Sequence, residues 1–183
     1  MRLVTTPRVT FLRALADEIV AQYGHGRMVV ADVLRERDHS VFRASIEDFH
    51  RSRAAQASYG ADTPARYFGY GFDESALRRV LVEPFRMGGS TAFVTRVFDP
   101  ARDSWVEPKW ITGPEDAILV IDGRFVLRER LAGLWDVRIA IDGDPVDPAD
   151  VLAYAERDPR VVASAVIDLA DPTHPARRRV DTR

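Results

Sequence analysis

The chain has 183 residues, of which 46% are hydrophobic and 30% charged, with a formal net charge of −2. This balance is typical of a globular domain with a sizeable core, and it gives no global attraction to nucleic acid or to a membrane surface. Cysteine is absent, which excludes disulfides and thiolate chemistry and suits a reducing cytoplasm. We find no signal-peptide pattern and no apolar run that could cross a bilayer. We therefore expect one cytoplasmic domain over residues 1–183, with no nucleic-acid or membrane partner; its oligomeric state is not readable.

Hydrophobic periodicity predicts helices and strands that alternate along the chain. The first helix covers residues 7–23, and a second over residues 73–85 is expected to stop at Pro84 because proline cannot continue the helical hydrogen bonds. The predicted strands cover 28–31, 41–46, 91–99, 117–122, 137–142 and 163–169, with a further helix over 148–157. Strands that alternate with helices predict an α/β fold with a mostly parallel sheet.

Acidic residues follow three of the predicted strands. Glu47 and Asp48 follow the strand at 41–46, Asp122 ends the strand at 117–122, and Asp142 ends the strand at 137–142. Ligands of such sheets bind beyond the carboxyl ends of the strands, where carboxylates can hold Mg²⁺ or accept a proton from a hydroxyl. Acids also cap loops at strand ends, which is the better interpretation for any one of them. For Glu47 together with Asp122 we favour a functional role.

Other catalytic patterns are poorly supported. The four histidines have no metal-ligand spacing, and neither a G-x-S-x-G nor a G-x-G-x-x-G motif occurs. An aromatic-rich segment over residues 57–73 could stack on a nucleobase or could fill a small satellite core, and composition favours neither.

Four segments carry a resemblance to a known family: "FRASIEDFHRSRA", "YGADTPARYFGYGFDESALRRVLVEPF", "VFDPARDSWVEP" and "AILVIDGRFVLRERLAGLWDVRIAID". In this order they resemble the uridine kinase-like family of P-loop kinases, and the resemblance resumes in "YAERDPRVVASAVIDLADPTHP". It implies a three-layer fold with helices flanking the sheet, and ATP- and Mg²⁺-dependent phosphoryl transfer to a hydroxyl of a nucleoside or similar small molecule.

The resemblance also implies roles for particular residues. Glu47, beside Asp48, matches the acid that contacts the acceptor hydroxyl and serves as base, although relatives have Asp there. Asp122 matches an acid near Mg²⁺. The residues expected to contact the small-molecule substrate are Phe49, His50, Tyr59, Tyr67, Arg96 and Asp99; Arg96 and Asp99 could equally form a surface ion pair.

The phosphate loop departs from the family pattern. A P-loop needs G-x-x-x-x-G-K-[ST], expected here between Ala31 and Asp32, but "MVVA" runs directly into "DVLRER" and none is found. The only lysine, Lys109, lies far along the chain in "VEPKW". The arginine-bearing lid of the family is likewise shortened to "GDPVDPADV".

The connection between the first two strands is also short. Parallel strands need a crossover of roughly a dozen residues, and only residues 32–40 are available. Three explanations are open: the strands are antiparallel, the chain is a degenerate relative that lost nucleotide binding, or the sequence lacks loop residues of the natural chain. We favour the third, since both shortened segments correspond to parts that move in phosphoryl-transfer enzymes. The function is accordingly either kinase activity or that of an inactive kinase-like module that binds a small molecule or a protein.

Overall fold

The computed structural model describes residues 6–23, 28–31 and 40–178. These ranges contain eight strands and seven α-helices. The strands are β1 (Met28–Ala31), β2 (Val41–Ser45), β3 (Phe98–Asp99), β4 (Ser104–Trp105), β5 (Ile118–Asp122), β6 (Val137–Ile141), β7 (Ala165–Asp168) and β8 (Ala176–Arg178). The helices are α1 (Pro7–Tyr23), α2 (Arg53–Ala57), α3 (Pro64–Tyr70), α4 (Glu74–Ala76), α5 (Glu83–Met87), α6 (Pro148–Glu156) and α7 (Pro159–Val162). No helix in this described part is long and apolar enough to span a membrane.

Six strands form one sheet in the order β2-β5-β1-β6-β7-β8, in which only β8 is antiparallel to its neighbour. The predicted α/β class and mostly parallel sheet are confirmed. Both β1 and β2 pair parallel with β5, on opposite sides of it. The antiparallel explanation for the short connection is therefore wrong. The junction between Ala31 and Asp32, where the phosphate loop was expected, lies outside the described residues.

The sheet separates two hydrophobic clusters because side chains alternate between its faces. On one face, Ile118 and Val120 of β5 pack with Leu15 and Ile19 of α1. On the other face, Leu119 and Ile121 join a larger cluster that contains residues from the helices between β2 and β5 and from α6. Helices thus cover both faces of the sheet, and the predicted three-layer arrangement is confirmed.

The second predicted helix does not stop at Pro84. It passes from α4 through a π-helical segment (Leu77–Val82) into α5 and ends at Gly88, whose φ is +71°. Pro84 lies in the first turn of α5. Proline is tolerated there because the change of hydrogen-bond register at the π segment leaves little demand for its missing N–H.

The strand predicted over residues 91–99 is wrong except at its end, where Phe98 and Asp99 form β3. Backbone groups of this segment bond to several different partners instead of one neighbouring strand: the Phe93 N–H donates to Ile111, that of Val94 to Val80 and that of Val97 to Asp48. Consecutive Phe93 and Val94 are both buried, so the segment lacks the two-sided alternation of a strand.

Candidate active site

The carboxyl ends of β2 and β5 meet at Ser45 and Asp122, which are register partners. The Ser45 hydroxyl donates to the Asp122 carbonyl (3.4 Å) and accepts the N–H of Glu47 (3.3 Å). This cap begins a 3-10 turn (Ile46–Phe49) that carries Glu47 and Asp48 directly beyond the strand. The adjacency of two parallel strand ends therefore brings Glu47, Asp48 and Asp122 to one edge, as the sequence predicted.

Gly123 allows the chain to turn close to this edge. Its φ is +123°, and a Cβ at this position would lie 2.6 Å from Cγ2 of the fully buried Ile46. We predict that Gly123→Ala lowers the free energy of unfolding by about 1–3 kcal/mol, from backbone strain and crowding. Gly133→Ala is the matched control, since nothing lies within 4 Å of its added Cβ. Equal urea midpoints for the two variants would contradict the prediction.

Burial raises the pKa of Glu47 above its ordinary value of 4.5. The charges of His50 and Arg124 oppose this shift, whereas those of Asp48 and Asp122 add to it. A carboxyl group with a raised pKa is a stronger proton acceptor when ionised, which suits a general base working near neutral pH.

The raised pKa gives a prediction for stability. The folded protein binds the Glu47 proton more tightly than the unfolded chain does, so stability falls as the pH rises from about 4.5 through the raised pKa. Glu47→Gln removes this loss, and we expect a higher melting temperature than that of the wild type at pH 7. The difference should shrink towards pH 4, where the wild-type carboxyl is protonated. Glu107→Gln, on an exposed side chain, is the control and should show no such difference.

Asp48 is held by Arg96. The Arg96 Nε lies 3.1 Å from Asp48 Oδ1, and its Nη2 lies 3.4 Å from Asp99 Oδ2. Burial raises the pKa of Asp48, and the charge of Arg96 lowers it. The structure therefore brings Arg96 and Asp99 to the site edge, where they form an ion-paired group with Asp48. Because Asp48 is already paired, Glu47 is the better candidate for a proton acceptor.

His50 and Tyr67 form an aromatic wall beside Glu47. The His50 ring lies edge-on to Phe72, with centroids 5.0 Å apart, and its Nε2 is 3.4 Å from the Tyr67 hydroxyl. Burial raises the pKa of Tyr67, and the charge of Glu47 adds to this effect. Both side chains are partly exposed, so this wall can contact a ligand.

Arg124 is a site residue that the sequence analysis missed. Its guanidinium lies 5.4 Å from the centroid of the Tyr67 ring and bonds to two acids at the start of α6. One is Asp147, which caps the helix by accepting the N–H groups of Ala149 and Asp150; the other is Asp150, 2.8 Å from Nη2. In the sequence, only its position directly after "IDG" pointed to Arg124 as a site residue. Its acidic partners could not be foreseen, since they depend on where α6 packs.

One predicted substrate contact, Phe49, needs correction, and another, Tyr59, lies apart from the residues described above. Phe49 is fully buried in the core, so its side chain has a packing role and is not available to a substrate. Tyr59 is half exposed and stacks on Tyr70 with centroids 4.0 Å apart, and Arg51 contacts both its ring and its hydroxyl. Asp142, at the end of β6, is paired with Arg160 and Arg178 and has a structural role.

A cavity of about 280 Å³ opens beside Asp122 and Arg124. It lies between the segment after β5, the end of β6 and α6. Arg124, Leu127, Ile139 and Tyr154 are among its lining residues. It lies at the carboxyl edge of the sheet, where open α/β sheets place their ligands.

The residues present fit an acceptor site better than a site for ATP and Mg²⁺. No three His, Asp or Glu side chains of the described ranges form a group that could hold a metal ion. Asp122 alone remains the predicted contact with Mg²⁺, which usually needs carboxylates together with substrate phosphates. Residues 32–40 contain neither glycine nor lysine and so do not fit a phosphate loop. We assign no chemical step to either group.

Comparison with solved structures identifies the architecture. The protein described as a possible uridine kinase from Bacillus stearothermophilus aligns with a TM-score of 0.69 and 18% identity, covering 85% of this chain and 96% of that one. A candidate fructose transport system kinase from Silicibacter sp. TM1040 aligns with a TM-score of 0.53 and 17% identity, covering 87% of each chain. The chain has a P-loop kinase-like fold. No protein-family model matches the sequence, and no curated protein matches it.

In this sheet, β1 lies between β5 and β6, near the centre. The candidate site therefore lies beside the carboxyl end of this central strand. Five residues surround the described part of this edge: Glu47, His50, Tyr67, Asp122 and Arg124.

Proposed function

We propose that the protein is a phosphotransferase that moves a phosphoryl group from ATP to a hydroxyl of a uridine-like nucleoside or a similar small molecule. The observation that carries this proposal is the half-buried carboxyl of Glu47, placed next to Asp122 at the carboxyl edge of β2 and β5. The kinase-like fold supports it, because the two structural neighbours named above are described as kinases.

In this proposal each described residue has a limited task. Glu47 would accept the proton of the acceptor hydroxyl, and a bound donor would supply the phosphoryl group and leave as the diphosphate. His50 and Tyr67 orient the acceptor, and Arg96 holds Asp48 in place. Asp122 is the proposed carboxylate on the Mg²⁺ side. Cytoplasmic localisation, suggested by the lack of cysteine, belongs to the same proposal.

A second candidate function is binding of the same small molecule without phosphoryl transfer. The observation that favours it is the absence of glycine and lysine from residues 32–40, because donor phosphates need backbone N–H groups and a cation. The two candidates share the acceptor site and differ only in the donor.

One assay distinguishes them. The protein is incubated with Mg²⁺, γ-labelled ATP and uridine, cytidine, fructose or pantothenate, and labelled product is measured beside a Glu47→Gln control. Kinase activity predicts product that depends on Glu47. Binding alone predicts that an acceptor raises the melting temperature, while ATP neither does so nor yields product at any Mg²⁺ concentration. The absence of both product and acceptor-induced stabilisation would contradict both candidates.

A further inference from the structure

The ring nitrogens of His50 contact different groups. Nδ1 lies 3.1 Å from the backbone carbonyl oxygen of Arg51, whereas Nε2 lies 3.4 Å from the Tyr67 hydroxyl. The buried side chain of Gln56 lies beside the first nitrogen: its Nε2 is 2.8 Å from the Arg51 carbonyl oxygen and 3.3 Å from His50 Nδ1. These contacts decide which ring nitrogen carries the proton.

A carbonyl oxygen can only accept hydrogen bonds, so Nδ1 bonds to Arg51 only if it carries the proton. The alternative is that Nδ1 accepts an N–H of Gln56. The Gln56 amide carries two N–H groups, but its nitrogen lies 3.3 Å from Nδ1, farther than the 3.1 Å between Nδ1 and the Arg51 carbonyl oxygen. An unprotonated Nδ1 would also direct its electron pair at that carbonyl oxygen. In neutral His50 the geometry therefore favours a proton on Nδ1 and a free electron pair on Nε2.

The second nitrogen then determines how Tyr67 bonds. A free electron pair on Nε2 can only accept, so the Tyr67 O–H donates to it. Arg124 lies over the face of the same ring, with its guanidinium carbon 5.4 Å from the ring centroid, and it donates to Asp147 and Asp150. With its proton directed at His50, the phenolic oxygen offers its electron pairs to a ligand.

We propose that His50 is a positioning residue that makes Tyr67 a hydrogen-bond acceptor towards the ligand, so that the site selects molecules presenting a hydroxyl donor to Tyr67. This inference rests on the acceptor site of the proposed function, and it holds whether or not a phosphoryl group is transferred. A carbonyl or an ether oxygen at the same place would face another electron pair and would be rejected.

The tautomer can be measured without a ligand. Two-bond nitrogen–proton NMR spectra of the full-length protein at pH 8 report which ring nitrogen of a neutral histidine is protonated, and a His50→Gln variant assigns the signal among the four histidines. We expect protonated Nδ1 in the wild type and in Gln56→Leu. Protonated Nε2 in the wild type, above all with a change to Nδ1 in Gln56→Leu, would overturn the inference.

Selectivity is tested with uridine and its three monodeoxy analogues, by thermal-shift titration of the wild type and Tyr67→Phe. We expect Tyr67→Phe to weaken uridine binding about 2- to 10-fold and to leave one analogue, which lacks the donated hydroxyl, unaffected. Equal weakening for uridine and all three analogues would overturn the selectivity. If uridine does not bind the wild type, the nucleoside assignment of the proposed function fails and the selectivity for nucleosides fails with it. The NMR result is independent of that outcome.

Discussion

Replacing Glu47 by Gln should lower the rate of phosphoryl transfer by about 100- to 10,000-fold, the usual contribution of a positioned general base. Gln has nearly the same shape and can still hydrogen-bond to the acceptor hydroxyl, but it cannot take up the proton. Acceptor affinity should therefore change little, and kcat should carry the loss. The measurement is steady-state kinetics with the acceptor that the labelled-ATP assay identifies.

Asp48→Asn is the matched control, one residue away on the same 3-10 turn. Arg96 already pairs with the Asp48 carboxylate at 3.1 Å, so its loss should disturb the position of Arg96 and weaken acceptor binding more than turnover. Glu47→Gln should also raise stability at pH 7 while it lowers activity. Equal reductions in kcat and in ligand affinity for Glu47→Gln would assign that residue to binding instead of proton transfer.

The sheet was predictable because its central strands are continuously apolar. Burial on both faces requires apolar residues at every position, and β5 shows this pattern as "ILVI" before Asp122. The segment over residues 91–99 misled the prediction because it is as rich in apolar residues as a strand. Those residues pack between loops instead. Pro84 misled it too, because a π-helical segment before the proline cannot be read from local propensity.

The same distinction holds for the candidate site. Glu47 and Asp122 could be predicted together, since carboxyl ends of parallel strands share one edge of a sheet. The contacts of Arg124 with Asp147 and Asp150 could not, because they depend on how α6 packs over the strand ends. The role of Gln56 could not be predicted from the sequence either, because it depends on the contact of its amide with the Arg51 carbonyl in the fold.

Removing the Glu74 carboxylate should cost about 3–5 kcal/mol of unfolding free energy, because it leaves a buried charge unpaired. The side chain of Arg128 is 1% exposed, and its Nη1 lies 2.8 Å from Glu74 Oε1. Its guanidinium packs against the rings of Phe68 and Phe125, at 4.9 and 5.3 Å from their centroids. Burial lowers the pKa of Arg128 to about 10, so it stays charged at neutral pH.

Glu74→Ala tests this pair, with Arg130→Met as the control. Arg130 bonds to the same carboxylate at 2.9 Å, but its side chain is 46% exposed, and exposed pairs contribute at most about 1 kcal/mol. Urea unfolding at pH 7 should therefore separate the two variants by several kcal/mol. The double variant Glu74→Ala, Arg128→Met should recover much of the loss, because an apolar side chain against two aromatic rings has no charge to compensate. Failure of this recovery would show that Glu74 stabilises the fold through contacts other than Arg128.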